Sequence, residues 1–243
     1  MYSIFKKEIS SFFSSLIGYL VVSVFLVMIG LFMWVFGETS ILEYNYATME
    51  QLFAIAPIVF LFLIPAITMS SFAEEHARGT IEFLSTKPIT SKDIIFGKYM
   101  ANLTLVVIAL LPTLIYYYSI YELGTPKGNL DNGEVIGSYI GLFFLAAAFV
   151  AIGMFASTIT KNQIVAFVLA AFLSYFFHWA FDYLASMDLF VGTLDAWIQA
   201  LGINYHYDNI SKGAIDSRDI VYFISIVVFF IYATFTSLQL KRG

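Results

Sequence analysis

The chain contains no cysteine and few charged residues. Only 12% of its 243 residues are charged and 60% are hydrophobic, whereas an average soluble protein is about 25% charged. Without cysteine, a disulfide framework, a thiolate metal site and a cysteine nucleophile are all excluded. The formal net charge of −5 offers no electrostatic attraction to nucleic acid. A folded chain of this length has too few charged side chains to cover its surface in water, so we expect a protein embedded in lipid.

The sequence also lacks the common motifs of catalysis and nucleotide binding. Gly97-Lys98 is followed by Tyr99 instead of serine or threonine, so it cannot belong to a phosphate-binding loop. Neither His-Glu-x-x-His nor Gly-x-Ser-x-Gly occurs. We therefore expect no catalytic residue, no metal site and no cofactor in this chain. Ser174 and His178 lie four residues apart in an apolar segment, which leaves an intramembrane protease as an alternative, although the flanking glycines of such a site are missing.

Six long windows without Asp, Glu, Lys or Arg dominate the sequence. A transmembrane helix needs about 20 apolar residues, and each window is long enough. The predicted fold is an all-α integral membrane protein that forms a single domain, residues 1–243, with six transmembrane helices. The predicted spans cover residues 16–36, 52–72, 99–121, 135–160, 162–181 and 220–240.

Charged residues are distributed unequally between the two faces that six spans create. One face carries nine basic and five acidic residues, and the other carries three basic and twelve acidic residues. By the positive-inside rule the basic face is cytoplasmic, so both termini should be cytoplasmic. The nine basic residues are Lys6, Lys7, Arg78, Lys87, Lys92, Lys98, Lys161, Lys241 and Arg242.

Residues 1–15 show the pattern of an amphipathic helix that lies at the membrane interface. Apolar side chains recur there at helical spacing, and basic side chains between them can face lipid headgroups. This helix is either a short cap on the first span or an elbow that transmits motion. Its characteristic residues are Phe5, Lys6, Lys7, Phe12 and Phe13.

The segment between the second and third predicted spans holds charge at helical spacing. Glu75 and Arg78 are three residues apart, and Arg78 and Glu82 are four apart, so both pairs can meet on one helix face. Phe83 and Leu84 add apolar contacts beside them. Two interpretations remain open: a short helix that docks a soluble partner, or a solvated connector whose ion pairs contribute little.

The segment between the fifth and sixth predicted spans, residues 182–219, is acidic and too short to span again. We expect short helices at the outer leaflet, because lipid tolerates backbone only when its hydrogen bonds are satisfied. His206 and Asp208 could suggest a metal site, but two further ligands are missing, so an interfacial aromatic belt is the better interpretation.

Residues 74–88 resemble the signature of the ABC-2-type permeases. The family pattern Glu-x-x-x-Gly-Thr-x-Glu-x-Leu-x-x-x-Pro is matched from Glu75 to Pro88, and the resemblance extends over the whole chain. It implies that this segment contains the coupling helix, which contacts an ATPase subunit. The residues assigned to that interface are Glu74, Glu75, Arg78, Gly79, Thr80, Glu82, Phe83, Leu84, Pro88, Gly97 and Lys98.

Two further stretches are similar to the gliding-motility permeases of that family. They are residues 5–19 and residues 213–219, although Leu16 stands where relatives often have proline. The second stretch contains an outer motif whose characteristic residues are Gly213, Asp216, Arg218 and Asp219.

The resemblance implies a permease subunit of a bacterial inner-membrane transporter. It would couple ATP hydrolysis on a GldA-like ATPase subunit to transport or force transmission in gliding motility. ATP and Mg would bind to that partner, and a GldG-like subunit or a second copy of the chain would complete the membrane part. The alternative is a scaffold that assembles a motility or secretion machine and moves no substrate.

Overall fold

The computed structural model describes residues 1–36, 40–44, 46–80, 90–187, 192 and 194–240. In these residues the chain is helical and contains no strand, which confirms the predicted all-α fold class. The helices are Tyr2–Ser14, Leu16–Trp34, Ile41–Tyr44, Glu50–Thr68, Ser70–Ala77, Ser91–Leu110, Leu114–Leu123, Asn132–Ile159, Gln163–Tyr175, Phe181–Ala185, Asp195–Gln199, Ile203–Ser211 and Ser217–Leu240, with a 3-10 turn at Leu111–Thr113 and a π-helical turn at Phe176–Ala180.

Six helical segments are long and apolar enough to cross a membrane, as the sequence predicts. We number them in chain order. Spans 1 to 6 are Leu16–Trp34, Glu50–Ala77, Ser91–Leu123, Asn132–Ile159, Gln163–Ala185 and Ser217–Leu240. Spans 2 and 3 continue as helices beyond their apolar windows. These extensions carry Glu75 and Lys98, which belong to the cluster described below.

Span 4 lies at the centre of the bundle. In its most apolar window 72% of the residues are buried, against 61% in spans 2 and 3, and 22%, 22% and 17% in spans 1, 5 and 6. Glycines on span 4 let its neighbours approach closely. A side chain at Gly153 would collide with Thr68 of span 2. Spans 1, 5 and 6 therefore form the periphery and turn most of their apolar side chains outward.

The N-terminal helix, Tyr2–Ser14, meets span 1 at a sharp bend. Ser15 has an extended backbone (φ −95°, ψ 137°) and interrupts the helix. Its Oγ accepts a hydrogen bond of 3.1 Å from the Ile17 amide and so caps span 1. Gly18 lies directly against the Phe12 carbonyl. The bend between the two helices thus forms at a serine cap.

The two ends of the bundle differ in the elements they carry. We call the end with the N-terminal helix, the last turns of span 2 and the start of span 3 the basic end. We call the opposite end the acidic end. At the acidic end the helix Ile203–Ser211, the acidic-end helix, packs against span 4 and buries Ile203, Tyr207 and Ile210. It is an integral part of the bundle and not only a surface helix.

Candidate functional site at the basic end

A buried lysine joins three elements at the basic end. Lys98, in the second turn of span 3, is only 2% exposed. Its Nζ donates to Glu8 Oε1 of the N-terminal helix at 2.8 Å and to Glu75 Oε1 of span 2 at 2.9 Å. The ring of Phe72 lies 5.3 Å from the same Nζ, within the range of a cation–π contact. A buried ammonium group requires such partners, because burial removes its hydration.

Lys7 closes this cluster on the side of the surface. Its Nζ lies 3.3 Å from Glu75 Oε1 and 3.8 Å from Glu8 Oε1. The Lys7 side chain is 63% exposed, so its contacts are weakened by water and salt. We call Lys7, Glu8, Glu75 and Lys98 the basic-end cluster. Its centre at Lys98 is buried, and its edge at Lys7 is exposed to solvent.

Close packing holds the N-terminal helix beside this cluster. A Cβ atom at Gly97 would lie 3.0 Å from the Met1 carbonyl oxygen and 3.1 Å from Ile4 Cβ. Four residues after Lys98, the buried Asn102 donates from Nδ2 to Ser71 Oγ at 2.8 Å and joins spans 3 and 2. Glycine at position 97 thus lets the N-terminal helix approach closely enough for Glu8 to reach Lys98.

Arg78 has a different partner from the one its spacing predicts. Its Nη2 lies 2.6 Å from Glu74 Oε1, four residues earlier on the helix. The predicted contact with Glu75 does not form among the described residues, because Glu75 turns inward to Lys98. Glu74 and Arg78 therefore form an exposed pair that is separate from the buried cluster.

Gly79 ends the helix of span 2 in a left-handed conformation. Its φ is +66°, which favours glycine, and its amide donates to the His76 carbonyl at 3.4 Å. Thr80 Oγ1 donates to the Glu75 carbonyl at 3.4 Å. The remaining predicted interface residues, Glu82, Phe83, Leu84 and Pro88, lie outside the described residues.

A polar cavity opens beside the basic-end cluster. It has a volume of about 260 Å³ and is lined by the cluster, by the pair Glu74 and Arg78, and by Ser11, Ser70 and Thr80. A second cavity of about 310 Å³ shares Glu8 and Ser11 and extends between the N-terminal helix and span 2. Glu75 Oε2 is buried and has no hydrogen-bond partner among the described residues. The cluster is therefore accessible from one side, whereas this carboxylate oxygen is shielded from solvent.

The predicted outer residues do not meet this site, since they lie at the acidic end. There His206 Nδ1 lies 2.6 Å from Asp219 Oδ1, and His206 Nε2 lies 2.9 Å from the Ala200 carbonyl oxygen. The imidazole also stacks on Tyr222 with a centroid distance of 3.8 Å. Because a carbonyl only accepts, Nε2 donates to Ala200, and the second ring nitrogen is joined to the Asp219 carboxyl group by a hydrogen bond. The partner of His206 is Asp219 and not Asp208.

Other residues of the outer motif shape the chain around this pair. Asp216 Oδ1 accepts from the Arg218 amide at 2.9 Å, next to the start of span 6. Gly213 has φ +80° and lies directly against Gly137 of span 4. Burial raises the pKa of Tyr207, which keeps its hydroxyl protonated, and that hydroxyl donates to the Phe53 carbonyl at 2.7 Å.

The structure does not form the protease pair considered above. Ser174 Oγ and His178 Nδ1 are both buried, and neither has a hydrogen-bond partner within the described residues. In the part of the chain that the structure describes, no group of three His, Asp or Glu side chains could hold a metal ion.

A family model described as ABC-2 family transporter protein matches residues 2–192. The chain belongs to the ABC-2 transporter family. It is accordingly a multi-pass transmembrane permease subunit of that family, which implies an ATPase partner and a lipid bilayer. The matched region contains the complete basic-end cluster, whereas the acidic-end helix and span 6 follow it. No curated protein matches the chain.

The contacts of two residues were not predicted from the sequence. Glu8 is one, although it follows Ile4 and precedes Phe12 by four residues each, so a carboxylate stood on the apolar stripe of the helix. The other is His206, whose partner is 13 residues away and is separated from it by a turn. The spacing of Glu8 on its helix could have indicated a buried carboxylate. No spacing in the sequence indicates the pairing of His206 with Asp219.

Proposed function

We propose that the chain couples ATP hydrolysis on a separate ATPase subunit to a movement of its spans. This movement would drive transport or transmit force across the membrane. ATP and Mg would bind to the ATPase, and residues 74–88 would form the surface that it contacts. Gly97 and Lys98, predicted as part of that surface, are buried and would act from beneath it by holding the N-terminal helix in place. The observation that carries the proposal is the buried contact of Lys98 with Glu8 and Glu75, because it ties three elements together beside this segment.

The basic-end cluster would let a force applied at one point move the N-terminal helix and the ends of spans 2 and 3 together. Removing one partner from a buried ion pair typically costs about 3–5 kcal/mol. A force on the chain after Ala77 would therefore move the N-terminal helix with the ends of spans 2 and 3 before the cluster separates. The ATPase would shift the equilibrium by contacting the two arrangements of this body differently.

The proposed orientation places the basic end in the cytoplasm, with both termini there, in a bacterial inner membrane. The excess of basic residues at this end supports it. The absence of cysteine makes the test direct, since a single introduced thiol is the only site for labelling. In intact cells a membrane-impermeant maleimide should label Lys127→Cys at the acidic end and leave Thr80→Cys unlabelled. Labelling of Thr80→Cys alone would reverse the orientation and remove the ATPase from reach.

The family resemblance supports a finer proposal about the biological setting. Residues 5–19 and 213–219 are similar to the gliding-motility permease GldF, so a GldA-like ATPase and a GldG-like membrane subunit are the proposed partners. A second copy of this chain is the alternative to the GldG-like subunit. The outward apolar surfaces of spans 1, 5 and 6 are compatible with either.

The coupling proposal is tested by charge reversal at Arg78, whose side chain is 71% exposed and can change without unfolding the chain. We expect Arg78→Glu to reduce both the amount of copurified ATPase subunit and its stimulated hydrolysis. Lys127→Glu is the matched control, because Lys127 is 70% exposed and also pairs with a glutamate, but at the acidic end. Unchanged binding and hydrolysis in Arg78→Glu would remove the coupling role.

A hydrolysis-deficient ATPase subunit separates the permease from a scaffold. Function should disappear with such a partner if the chain transmits work from ATP. If the chain only assembles a machine, function should persist once the inactive partner has bound.

A further inference from the structure

An apolar groove runs between spans 3 and 6 near the basic end. Its volume is about 430 Å³. The two spans contribute side chains that are apolar or aromatic, apart from one lysine. The lining residues are Lys92, Ile95, Phe96, Tyr99, Val227, Val228, Ile231, Tyr232 and Phe235. A groove of this composition on the periphery of a membrane protein faces the hydrocarbon of the bilayer.

Buried side chains form the floor of the groove, and the polar atom among them already has a hydrogen-bond partner. Ile95 is 1% and Tyr99 is 5% exposed. The Tyr99 hydroxyl donates to the Ala147 carbonyl of span 4 at 3.2 Å, so it offers the groove an aromatic face and no free polar group. The occupant of the floor must therefore be apolar.

The rim of the groove is open to the outside of the bundle. Phe96, Val228 and Tyr232 are 45%, 61% and 65% exposed. An occupant can therefore enter laterally from the bilayer without passing through the protein.

Lys92 supplies a positive charge at one end of this apolar groove. Its side chain is exposed, and it makes no ion pair with any residue that the structure describes. By contrast, Lys98 and Lys7 are both held by carboxylates. Within the described part of the chain, the charge of Lys92 is thus available to an anion at the mouth of the groove.

The dimensions match one lipid in one leaflet. Seven residues separate Lys92 from Tyr99, which is roughly 10 Å along a helix. Half of a hydrocarbon core is about 15 Å. A cation at the polar boundary and an apolar groove of this depth below it fit a charged headgroup followed by an acyl chain.

We propose that this groove binds an anionic phospholipid, with its phosphate on Lys92 and one acyl chain between spans 3 and 6. Charge complementarity favours a lipid over a helix of another subunit, because a helix would place its own apolar residues against Lys92. The site shares span 3 with the basic-end cluster but uses none of the cluster residues. The proposal therefore holds whether or not an ATPase binds nearby.

Native mass spectrometry of the purified full chain tests the site with defined lipids. Phosphatidylglycerol and phosphatidylcholine are titrated onto the original chain and onto two variants, Lys92→Gln and Val228→Trp. Lys161→Gln and Val221→Trp are the matched controls, since Lys161 is an exposed lysine outside the groove and Val221 is 64% exposed on the same span.

We expect Lys92→Gln to weaken phosphatidylglycerol binding about fivefold, which corresponds to about 1 kcal/mol per lysine near an anionic headgroup. Its binding of phosphatidylcholine should change little. Val228→Trp fills the groove and should weaken the binding of both lipids, while the two controls should behave as the original chain.

Two results would overturn the proposal. The first is equal phosphatidylglycerol binding by Lys92→Gln and Lys161→Gln, because the phosphate would then not contact Lys92. The second is a Val228→Trp variant that keeps its lipid but loses a dimer seen in the same spectra, which would make the groove an interface between copies of the chain.

Discussion

The basic and acidic ends of the bundle both bury ionisable side chains, but they bury them in different surroundings. At the basic end Lys98 bridges two glutamates beside an open cavity, and Glu75 keeps one buried oxygen without a partner among the described residues. At the acidic end both ring nitrogens of His206 have hydrogen-bond partners, and the ring is covered by Tyr222.

This difference indicates different tasks for the two ends. A fully satisfied buried pair is costly to disturb and has nothing to offer a new partner. A cluster with an exposed member such as Lys7 is easier to rearrange, because water already reaches its edge. We infer that the acidic end is the more rigid of the two ends.

The strongest test of the comparison is removal of the central lysine. We expect Lys98→Met to lower the free energy of unfolding by about 3–5 kcal/mol, since two glutamates would be left facing each other without their buried cation. The measurement is an SDS unfolding titration in mixed micelles. Lys127→Met, which breaks the exposed pair with Glu122, should change the same quantity by less than about 1 kcal/mol.

A triple variant distinguishes lost charge pairing from lost packing. Glu8→Gln and Glu75→Gln added to Lys98→Met remove every charge at the centre of the cluster. Most of the stability should return, because neutral replacement of a whole buried ion pair is often tolerated. If the triple variant stays as unstable as Lys98→Met, packing and not charge dominates at this end.

The second test removes the histidine at the acidic end. His206→Phe leaves Asp219 buried without its partner and the Ala200 carbonyl without its donor, at a cost of about 2–3 kcal/mol. The same unfolding titration measures it, and Tyr205→Phe serves as an exposed aromatic control on the same helix. A cost close to that of the control would show that the pair contributes nothing to the acidic end.

Glycine contacts offer a matched comparison of rigidity at the two ends. A Cβ atom at Gly137 would lie 2.8 Å from the Ile210 carbonyl oxygen and 2.9 Å from Gly213 Cα, both backbone atoms of a packed segment. At Gly97 the nearest atoms belong to the first residues of the N-terminal helix, which can shift by a few tenths of an ångström. We expect Gly137→Ala to cost about 1–3 kcal/mol.

Gly97→Ala should cost less than about 1 kcal/mol, because the neighbouring helix is free to give way at its end. Thermal unfolding of both variants in detergent, run side by side, provides the measurement. A larger loss for Gly97→Ala would mean that the basic end is the more rigid one and would reverse the comparison.

We expect the smallest change in stability at Lys7, the solvent-exposed member of the basic-end cluster. Lys7→Gln removes an exposed partner of Glu75 and should change stability by only about 0.2–1 kcal/mol. The effect should shrink further in high salt, because screening already weakens this contact. A loss of stability as large as that of Lys98→Met would show that the whole cluster, including Lys7, is shielded from solvent.

Several features of the fold were predictable from local pattern. Six charge-free windows predicted six spans, because lipid demands long apolar helices. The family resemblance from Glu75 to Pro88 and at the Gly97-Lys98 pair predicted a surface for a partner. Glu75 and Lys98 instead pair with each other in the interior, and the partner surface stays a prediction. Residues 82–84 and Pro88 remain predictions, since they lie outside the described part of the chain.

Pairings between distant residues were not predictable. Lys98 and Glu8 are 90 residues apart, and Lys98 and Glu75 are 23 apart across a break in the described chain. The spacing rule for helices predicted a contact of Arg78 with Glu75. Glu75 instead points inward to Lys98, and Arg78 pairs with Glu74. A rule for neighbours on one helix cannot anticipate a stronger partner on another helix.

Hydrophobicity and charge along the chain determined that this protein lies in a membrane, how often it crosses and which end is basic, because these follow from the solvation of each segment by itself. Tertiary structure decided which span is central, which glutamates hold Lys98 and that Asp219 is the partner of His206. Those choices depend on how helices pack against one another, and the free energy of a buried charge is set by whatever side chain that packing brings within reach.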